Sequence, residues 1–296
     1  MTVKKINIGA NDSLPIRTFD LNKLNSCDGG PPSIVMIAKR GSGKSVVCKH
    51  ILSHFRHIPG GAIIAPSEEA KPYYAKFFPA LYIHYKFTHE KLKRFWNRQI
   101  FVREKQQKKE ETGKTFDTQA FLLMDDCLAS KGSWLKDDFI LKVFFNGRHY
   151  DLMYILTMQF PLGITPELRT NFDFVFLLAD DYFSNQKRLF EHYAGMFPNF
   201  QAFRDVFTEL TKDFGCMVIS NKGNRKDIFD KVFFFKADYE IEIKKIGSDQ
   251  FNYIHDHNFN PDHKQDNRIG NVNILDQYAK KKNQKTLKVA IQSNSD

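Results

Sequence analysis

The fold is decided by one short stretch, IAKRGSGKSVVCKH, which runs from Ile37 to His50. An apolar run ends just before it and helical apolar spacing begins within it, so a Gly-Ser-Gly turn joins a strand to a helix. The backbone amides of such a turn can point inward and hold phosphate groups, aided by the positive N-terminal end of the helix. The stretch therefore predicts a phosphate-binding loop in an α/β domain.

The loop matches the pattern G-x-x-x-x-G-K-[ST], except that Ala38 replaces the first glycine. In this motif the lysine reaches the β- and γ-phosphates and the serine hydroxyl ligates Mg²⁺. Lys44 and Ser45 are therefore expected to take these roles, with ATP and Mg²⁺ as the cofactors. The residues expected to line the nucleotide are Ala38, Lys39, Arg40, Gly41, Ser42, Gly43, Lys44, Ser45 and Val46.

Composition limits the class of protein before any motif is considered. The chain has 296 residues, of which 42% are hydrophobic, and a formal net charge of +10, which favours a polyanionic partner over a cationic one. The four cysteines form no C-x-x-C pair, as expected for reduced thiols rather than disulfides or a zinc site. Without a run of 18 apolar residues or an apolar leader, the sequence predicts a soluble intracellular protein with no membrane span.

Strand and helix patterns alternate between residues 33 and 237, which predicts a mostly parallel sheet flanked by helices. The expected organisation is an N-terminal lead-in at 1–32, a P-loop ATPase domain at 33–245 and a polar, basic C-terminal tail at 246–296. Buried strands are predicted at 33–38, 62–65, 81–86, 121–124, 153–158 and 174–179, and a C-terminal β-hairpin from the runs at 216–220 and 231–237.

Polar side chains follow two of the predicted strands. The sequence FLLMDD ends in Asp125 and Asp126, and the strand MYILTM is followed by Gln159. At the end of a strand next to the P-loop strand, Asp125 would belong to the magnesium shell and Asp126 would orient or deprotonate the attacking water. Gln159 would contact the γ-phosphate or that water. The alternative is that these residues only cap strand ends.

An arginine usually stabilises the charge that develops during phosphoryl transfer. Arg148 in NGRHY, Arg169 in PELRTNFD and Arg40 inside the loop are the three candidates. Each could equally be a surface or ion-pairing arginine.

The motifs AKRGSGKS, FLLMDD, NGRHY, TMQ and LRTNFD, in this order, resemble the poxvirus-type genome-packaging ATPases of large DNA viruses, which belong to the FtsK and HerA class. The resemblance implies an additional-strand core and a homo-oligomeric ring that threads double-stranded DNA into a capsid, with capsid or packaging proteins as partners. It also implies an arginine finger from a neighbouring subunit, at Arg148 or Arg169, and a location in the viral factory of the host cytoplasm or in the virion. The class typically has a catalytic glutamate where this chain has Asp126.

A motor that tracks DNA needs basic residues along its path. Residues 86–114 carry ten lysines or arginines against four glutamates and are expected to form a basic helical insertion. Lys91, Lys93, Arg94 and Arg98 are its candidate DNA contacts, and the lysines of the tail are a second set. The alternative is that the insertion is merely a solvated helix face.

Two other functions share the same loop. A P-loop nucleotide kinase would use Lys44, Ser45 and Asp125 on a small acceptor, and a non-catalytic scaffold would bind ATP without turnover. A helicase would use the same motor residues. Loss of turnover with retained ATP binding in Asp126→Asn would separate an ATPase from a scaffold.

Overall fold

The computed structural model describes residues 3–7, 13–25, 30–127, 136–223 and 227–261. The lysine-rich end of the predicted tail, Cys27 and parts of the predicted lead-in lie outside the described residues.

The strands are β1 Val3–Asn7, β2 Ser13–Arg17, β3 Ser33–Ile37, β4 Gly60–Ile64, β5 Ile83–His84, β6 Ala120–Asp125, β7 Leu152–Met158, β8 Phe174–Leu177, β9 Gly215–Ser220 and β10 Val232–Lys236. The α-helices are α1 Asn22–Asn25, α2 Lys44–His54, α3 His89–Glu110, α4 Asp138–Asn146, α5 Pro166–Arg169, α6 Phe183–Tyr193, α7 Phe200–Leu210 and α8 Asp249–Asn258.

Eight of these strands form one sheet, in the order β10-β9-β8-β3-β7-β6-β4-β5. The six strands from β8 to β5 run parallel, and β9 and β10 form an antiparallel hairpin at one edge. The fold class predicted from the sequence is confirmed: a mostly parallel sheet flanked by helices, with the hairpin added on the C-terminal side. β1 and β2 pair separately as a short antiparallel ribbon.

Burial on both faces explains why the central strands are continuous apolar runs. In β3, Val35 and Ile37 belong to one core cluster, whereas Ile34 and Met36 belong to the cluster on the other face. Alternate side chains of a strand point to opposite faces, so both sets are apolar only when helices cover both faces. The second cluster also includes residues of α2, which places that helix on its face.

Two regions differ from the sequence pattern. The strand predicted at 81–86 is only Ile83–His84, because residues 80–82 form a 3₁₀ turn ahead of it. Part of the predicted polar tail forms α8, whose Phe251 ring stacks on Tyr82 at 4.0 Å between centroids. The Phe251 ring therefore packs a mainly polar segment against the rest of the domain.

The cysteines of the described residues are buried and free: Cys48, Cys127 and Cys216. Burial raises the pKa of each thiol well above its usual value. These cysteines therefore act as small core residues. None of the helices in the described ranges combines the length and the apolar composition that a membrane span requires.

Candidate nucleotide-binding site

The predicted phosphate loop connects β3 to α2. Gly41 and Gly43 have φ angles of 81° and 93°, in the left-handed region that glycine adopts at little cost. The Ser42 hydroxyl donates to the Lys39 carbonyl at 2.7 Å and closes the turn. Ala38 is buried in the core beneath the loop, so the methyl group that replaces the first glycine packs with apolar neighbours. The loop thus has the backbone form of a phosphate cradle despite this departure from the motif.

The strand order corrects one expectation about Asp125. The sequence pattern predicts its strand next to the P-loop strand, but β7 lies between β3 and β6. The Lys44 Nζ nevertheless lies 3.0 Å from Asp125 Oδ1, because the lysine side chain reaches across the end of β7. The insertion of β7 is the additional-strand arrangement that the resemblance implies.

Asp125 is held by neighbours that the sequence did not single out. It is 3% exposed, and its Oδ2 accepts a hydrogen bond from Tyr74 Oη at 2.9 Å. Its Oδ1 accepts one from the hydroxyl of Thr157, which is fully buried. A buried carboxylate with both oxygens occupied suits a second coordination sphere, reached through water, better than direct metal ligation. Thr157 stands out in the sequence only as a polar residue inside an apolar strand, which is a weak sign that it binds a neighbouring carboxylate. No feature of the sequence around Tyr74 predicts its contact with Asp125.

The position of Tyr74 is itself fixed by a buried acid. Glu68 is 2% exposed, and its Oε1 accepts from the backbone amides of Tyr73 and Tyr74 at 2.7 and 3.0 Å. The Tyr74 ring then points its hydroxyl at Asp125 from a site that is 1% exposed. Burial raises the pKa of Tyr74 well above its usual value, so this hydroxyl remains a donor.

Asp126 and Gln159 meet at the ends of β6 and β7. Asp126 has a φ of 54°, and its amide donates to Thr157 Oγ1 at 3.1 Å. The Gln159 side-chain amide donates to Asp126 Oδ2. The left-handed backbone turns Asp126 out of the strand, beside an exposed glutamine. Lys44, Asp125, Asp126 and Gln159 therefore form one connected cluster at the edge of the sheet.

The three arginines have different surroundings. Arg148 lies in the 3₁₀ turn ahead of β7 and is 3.8 Å from Asp173, which precedes β8. It lines a cavity of about 630 Å³ at the end of the sheet where the parallel strands begin. The phosphate loop lies at the other end of these strands, roughly 15 Å from Arg148. Arg169 lies over the Tyr193 ring at 5.6 Å, and its Nε is buried without a hydrogen-bond partner among the described residues. Arg40 is exposed and belongs to the phosphate loop itself. The other two candidates, Arg148 and Arg169, lie outside the loop.

The basic segment forms the 22-residue helix α3, as expected. Lys93, Arg94 and Arg98 are exposed on it and Lys91 is half-buried. Arg94 forms an ion pair with Glu90 at 3.2 Å, and Arg98 donates to the side chain of Gln99.

The donor set at the loop fits a metal held together with phosphate. The described parts of the chain contain no cluster of three or more His, Cys, Asp or Glu side chains that would hold a metal alone. Ser45 lies in the first turn of α2 and the Asp125 carboxylate lies beside Lys44. This is the pairing used for Mg²⁺ when nucleotide phosphates supply the remaining oxygens.

No model of a known protein family matches the sequence. Protein L437 of Acanthamoeba polyphaga mimivirus is 46% identical to this chain over 84% of the chain and 85% of L437. Protein 075L of Invertebrate iridescent virus 6 is 31% identical over 75% of the chain and 85% of 075L. The chain belongs to this family of large DNA virus proteins. The resemblance to a viral family drawn from the motifs is thereby confirmed.

The fold of this large DNA virus family is found in a solved structure. The genome packaging NTPase B204 of Sulfolobus turreted icosahedral virus 2, in complex with sulfate, matches 72% of the chain and 98% of B204 with a TM-score of 0.50. Sequence identity is 14%, so the match establishes the P-loop NTPase fold alone.

Proposed function

We propose that this chain is an ATP-hydrolysing motor that drives double-stranded DNA into a viral capsid, working as a homo-oligomeric ring with capsid or packaging proteins. The observation that carries the proposal is the connected cluster of Lys44, Asp125, Asp126 and Gln159 beside a glycine-rich loop. The viral family and the NTPase fold agree with it. In such a virus the motor would work in the host cytoplasm, in the viral factory, or in the virion.

Each residue of the cluster has a place in hydrolysis. The loop amides and Lys44 would bind the phosphates. Ser45 would ligate Mg²⁺ and Asp125 would hold the water shell of that ion, which neutralises phosphate charge when bound. Asp126 would accept a proton from the water whose oxygen attacks the γ-phosphorus, while ADP leaves with the electron pair of the broken bond. Gln159, bonded to Asp126, would orient that water and report the presence of the γ-phosphate.

The position of Arg148, at the end of the parallel strands opposite to the phosphate loop, supports assembly into a ring. Arg148 lies too far from its own loop to touch the same nucleotide, so it could act only on a neighbour's site. Arg169 remains the second candidate, and release from its contact with Tyr193 would be needed before it could reach a phosphate. A trans-acting arginine would make hydrolysis depend on assembly.

The proposed DNA contacts are phosphate contacts. The net charge of +10 and the basic face of α3 favour binding that tracks the backbone without reading bases. Lys91, Lys93, Arg94 and Arg98 are the proposed contacts in the described part of the chain.

Steady-state ATP hydrolysis with and without long duplex DNA tests the proposal. We expect DNA to stimulate hydrolysis, Lys44→Ala to abolish ATP binding, and Asp126→Asn to bind ATP while turnover falls roughly 100-fold or more, because the general base is lost. Asp205→Asn, an exposed acid on α7, is the matched control. Hydrolysis indifferent to DNA, phosphate transfer to a small acceptor, or ATP binding without turnover would refute the motor.

A further inference from the structure

The turn between α7 and β9 carries an unusual phenylalanine. Phe214 is 65% exposed, and its φ of 63° follows a φ of 51° at Asp213. Bulky side chains rarely adopt the left-handed region, and an exposed ring gains little from burial to offset that cost. Neither packing nor backbone preference therefore explains why a phenyl ring is presented here.

The surrounding chain fixes this ring in one place. At Gly215 a Cβ atom would lie 2.2 Å from the Leu210 carbonyl oxygen and 2.8 Å from the Phe234 ring, so only glycine lets the turn close this tightly. β9 runs antiparallel to β8, so it begins at the sheet edge where the parallel strands end. Phe214 thus stands at the same edge as the phosphate loop.

The ring touches the phosphate loop directly. A Cβ atom on Gly43 would lie 3.3 Å from Phe214 Cδ1. Gly43 immediately precedes α2, the helix whose N-terminal amides would face the phosphates. The phenyl ring is therefore at the rim of the cradle, within reach of whatever is attached to those phosphates.

The order of the strands indicates which end of a nucleotide comes near this ring. Asp126 and Gln159 lie at the ends of β6 and β7, on one side of the P-loop strand β3, whereas β9 lies on the other side, beyond β8. A triphosphate whose γ-phosphate faces Asp126 directs its nucleoside toward the side of Phe214.

We infer that Phe214 is a stacking platform for the base of a nucleoside triphosphate. This inference rests on the proposed function and adds the subsite that holds the nucleoside. A phenyl face attracts every base through its π surface and offers no hydrogen-bonding edge, so the ring contributes affinity without selecting adenine over guanine.

Isothermal titration of the full chain with ATP, GTP and tripolyphosphate separates stacking from phosphate binding. We expect Phe214→Ala to bind ATP and GTP roughly tenfold more weakly and to bind tripolyphosphate as the wild type does. Phe145→Ala, which removes an exposed phenyl ring on α4, is the matched control and should leave all three affinities unchanged. A Phe214→Trp variant should show fluorescence quenching beyond that of the wild type with ATP, and none with tripolyphosphate.

The outcomes distinguish this inference from the function on which it rests. Unchanged ATP affinity in Phe214→Ala, or equal weakening of ATP and tripolyphosphate, would overturn stacking and leave the ATPase proposal standing. Wild-type protein that binds neither ligand would overturn both. Should Phe214→Ala not fold, quenching of Phe214→Trp by tripolyphosphate as strongly as by ATP would overturn stacking.

Discussion

At the scale of single residues, the candidate site depends on a buried carboxylate with three partners. Lys44, Thr157 and Tyr74 all contact Asp125, and of these three only Lys44 is a site residue predicted from the sequence. Charge-assisted hydrogen bonds to a buried carboxylate fix its position strongly. The conformation of Asp125 is therefore set before any phosphate or metal arrives.

Removal of the Tyr74 hydroxyl tests this positioning. In Tyr74→Phe, Asp125 Oδ2 loses its donor, and a buried acceptor without a partner costs about 1–3 kcal/mol. We expect the free energy of unfolding, measured in urea, to fall by that amount and the Mg²⁺ concentration for half-maximal hydrolysis to rise. Tyr73→Phe is the control, since Tyr73 is a neighbouring half-buried ring. Equal effects of the two substitutions would contradict a specific role for the Tyr74 hydroxyl.

At the scale of elements, α3 is the most distinctive feature outside the site. Its 22 residues span about 33 Å. Leu92 and Trp96 bury one face against the core, while the basic side chains lie mostly on the rest of the surface. The helix is therefore amphipathic: its apolar face packs on the core and its basic face is exposed along most of its length.

The salt dependence of DNA binding tests this surface. Replacing Lys91, Lys93, Arg94 and Arg98 with glutamine should reduce the slope of log affinity against log salt by about 0.9 for each DNA phosphate that the helix no longer neutralises. The matched control replaces four exposed lysines outside α3: Lys76, Lys187, Lys212 and Lys236. An unchanged slope in the α3 variant, measured by fluorescence anisotropy on duplex DNA, would show that the helix is only a solvated face.

At the scale of the whole molecule, partly buried histidines make the fold sensitive to acid. Burial lowers the pKa of His50, His54, His84 and His255, and brings that of His84 to about 3. The His84 Nδ1 is buried without a hydrogen-bond partner among the described residues. Below the unfolded pKa of about 6.5 the unfolded chain binds a proton that the folded chain does not, so stability falls as pH falls.

Denaturation at two pH values measures this effect. Between pH 7 and pH 5 we expect His84 alone to reduce the free energy of unfolding by about 1–2 kcal/mol. His84→Leu should remove that part of the pH dependence, whereas His192→Leu, at an exposed position, should not. If both variants keep the wild-type dependence, titration of His84 does not contribute.

Features that depend on short spacing can be predicted from the amino-acid sequence. A glycine-rich turn between an apolar strand and a helix can be recognised within eight residues, and Asp125, Asp126 and Gln159 are marked by following apolar strands. Burial on both faces makes the parallel strands apolar throughout, so their number and the C-terminal hairpin could also be predicted. These signals are local because turn conformation and the alternation of side chains along a strand depend on residues that are adjacent in sequence.

Which elements contact one another depends on the tertiary packing and could not be predicted from the sequence. The strand order puts β7 between β3 and β6, and it brings Tyr74 to Asp125, 51 residues further along the chain. Phe214 comes beside Gly43 for the same reason, and Phe251 beside Tyr82. Contacts of this kind follow from how strands and helices pack into one core, and no spacing within a single segment encodes them.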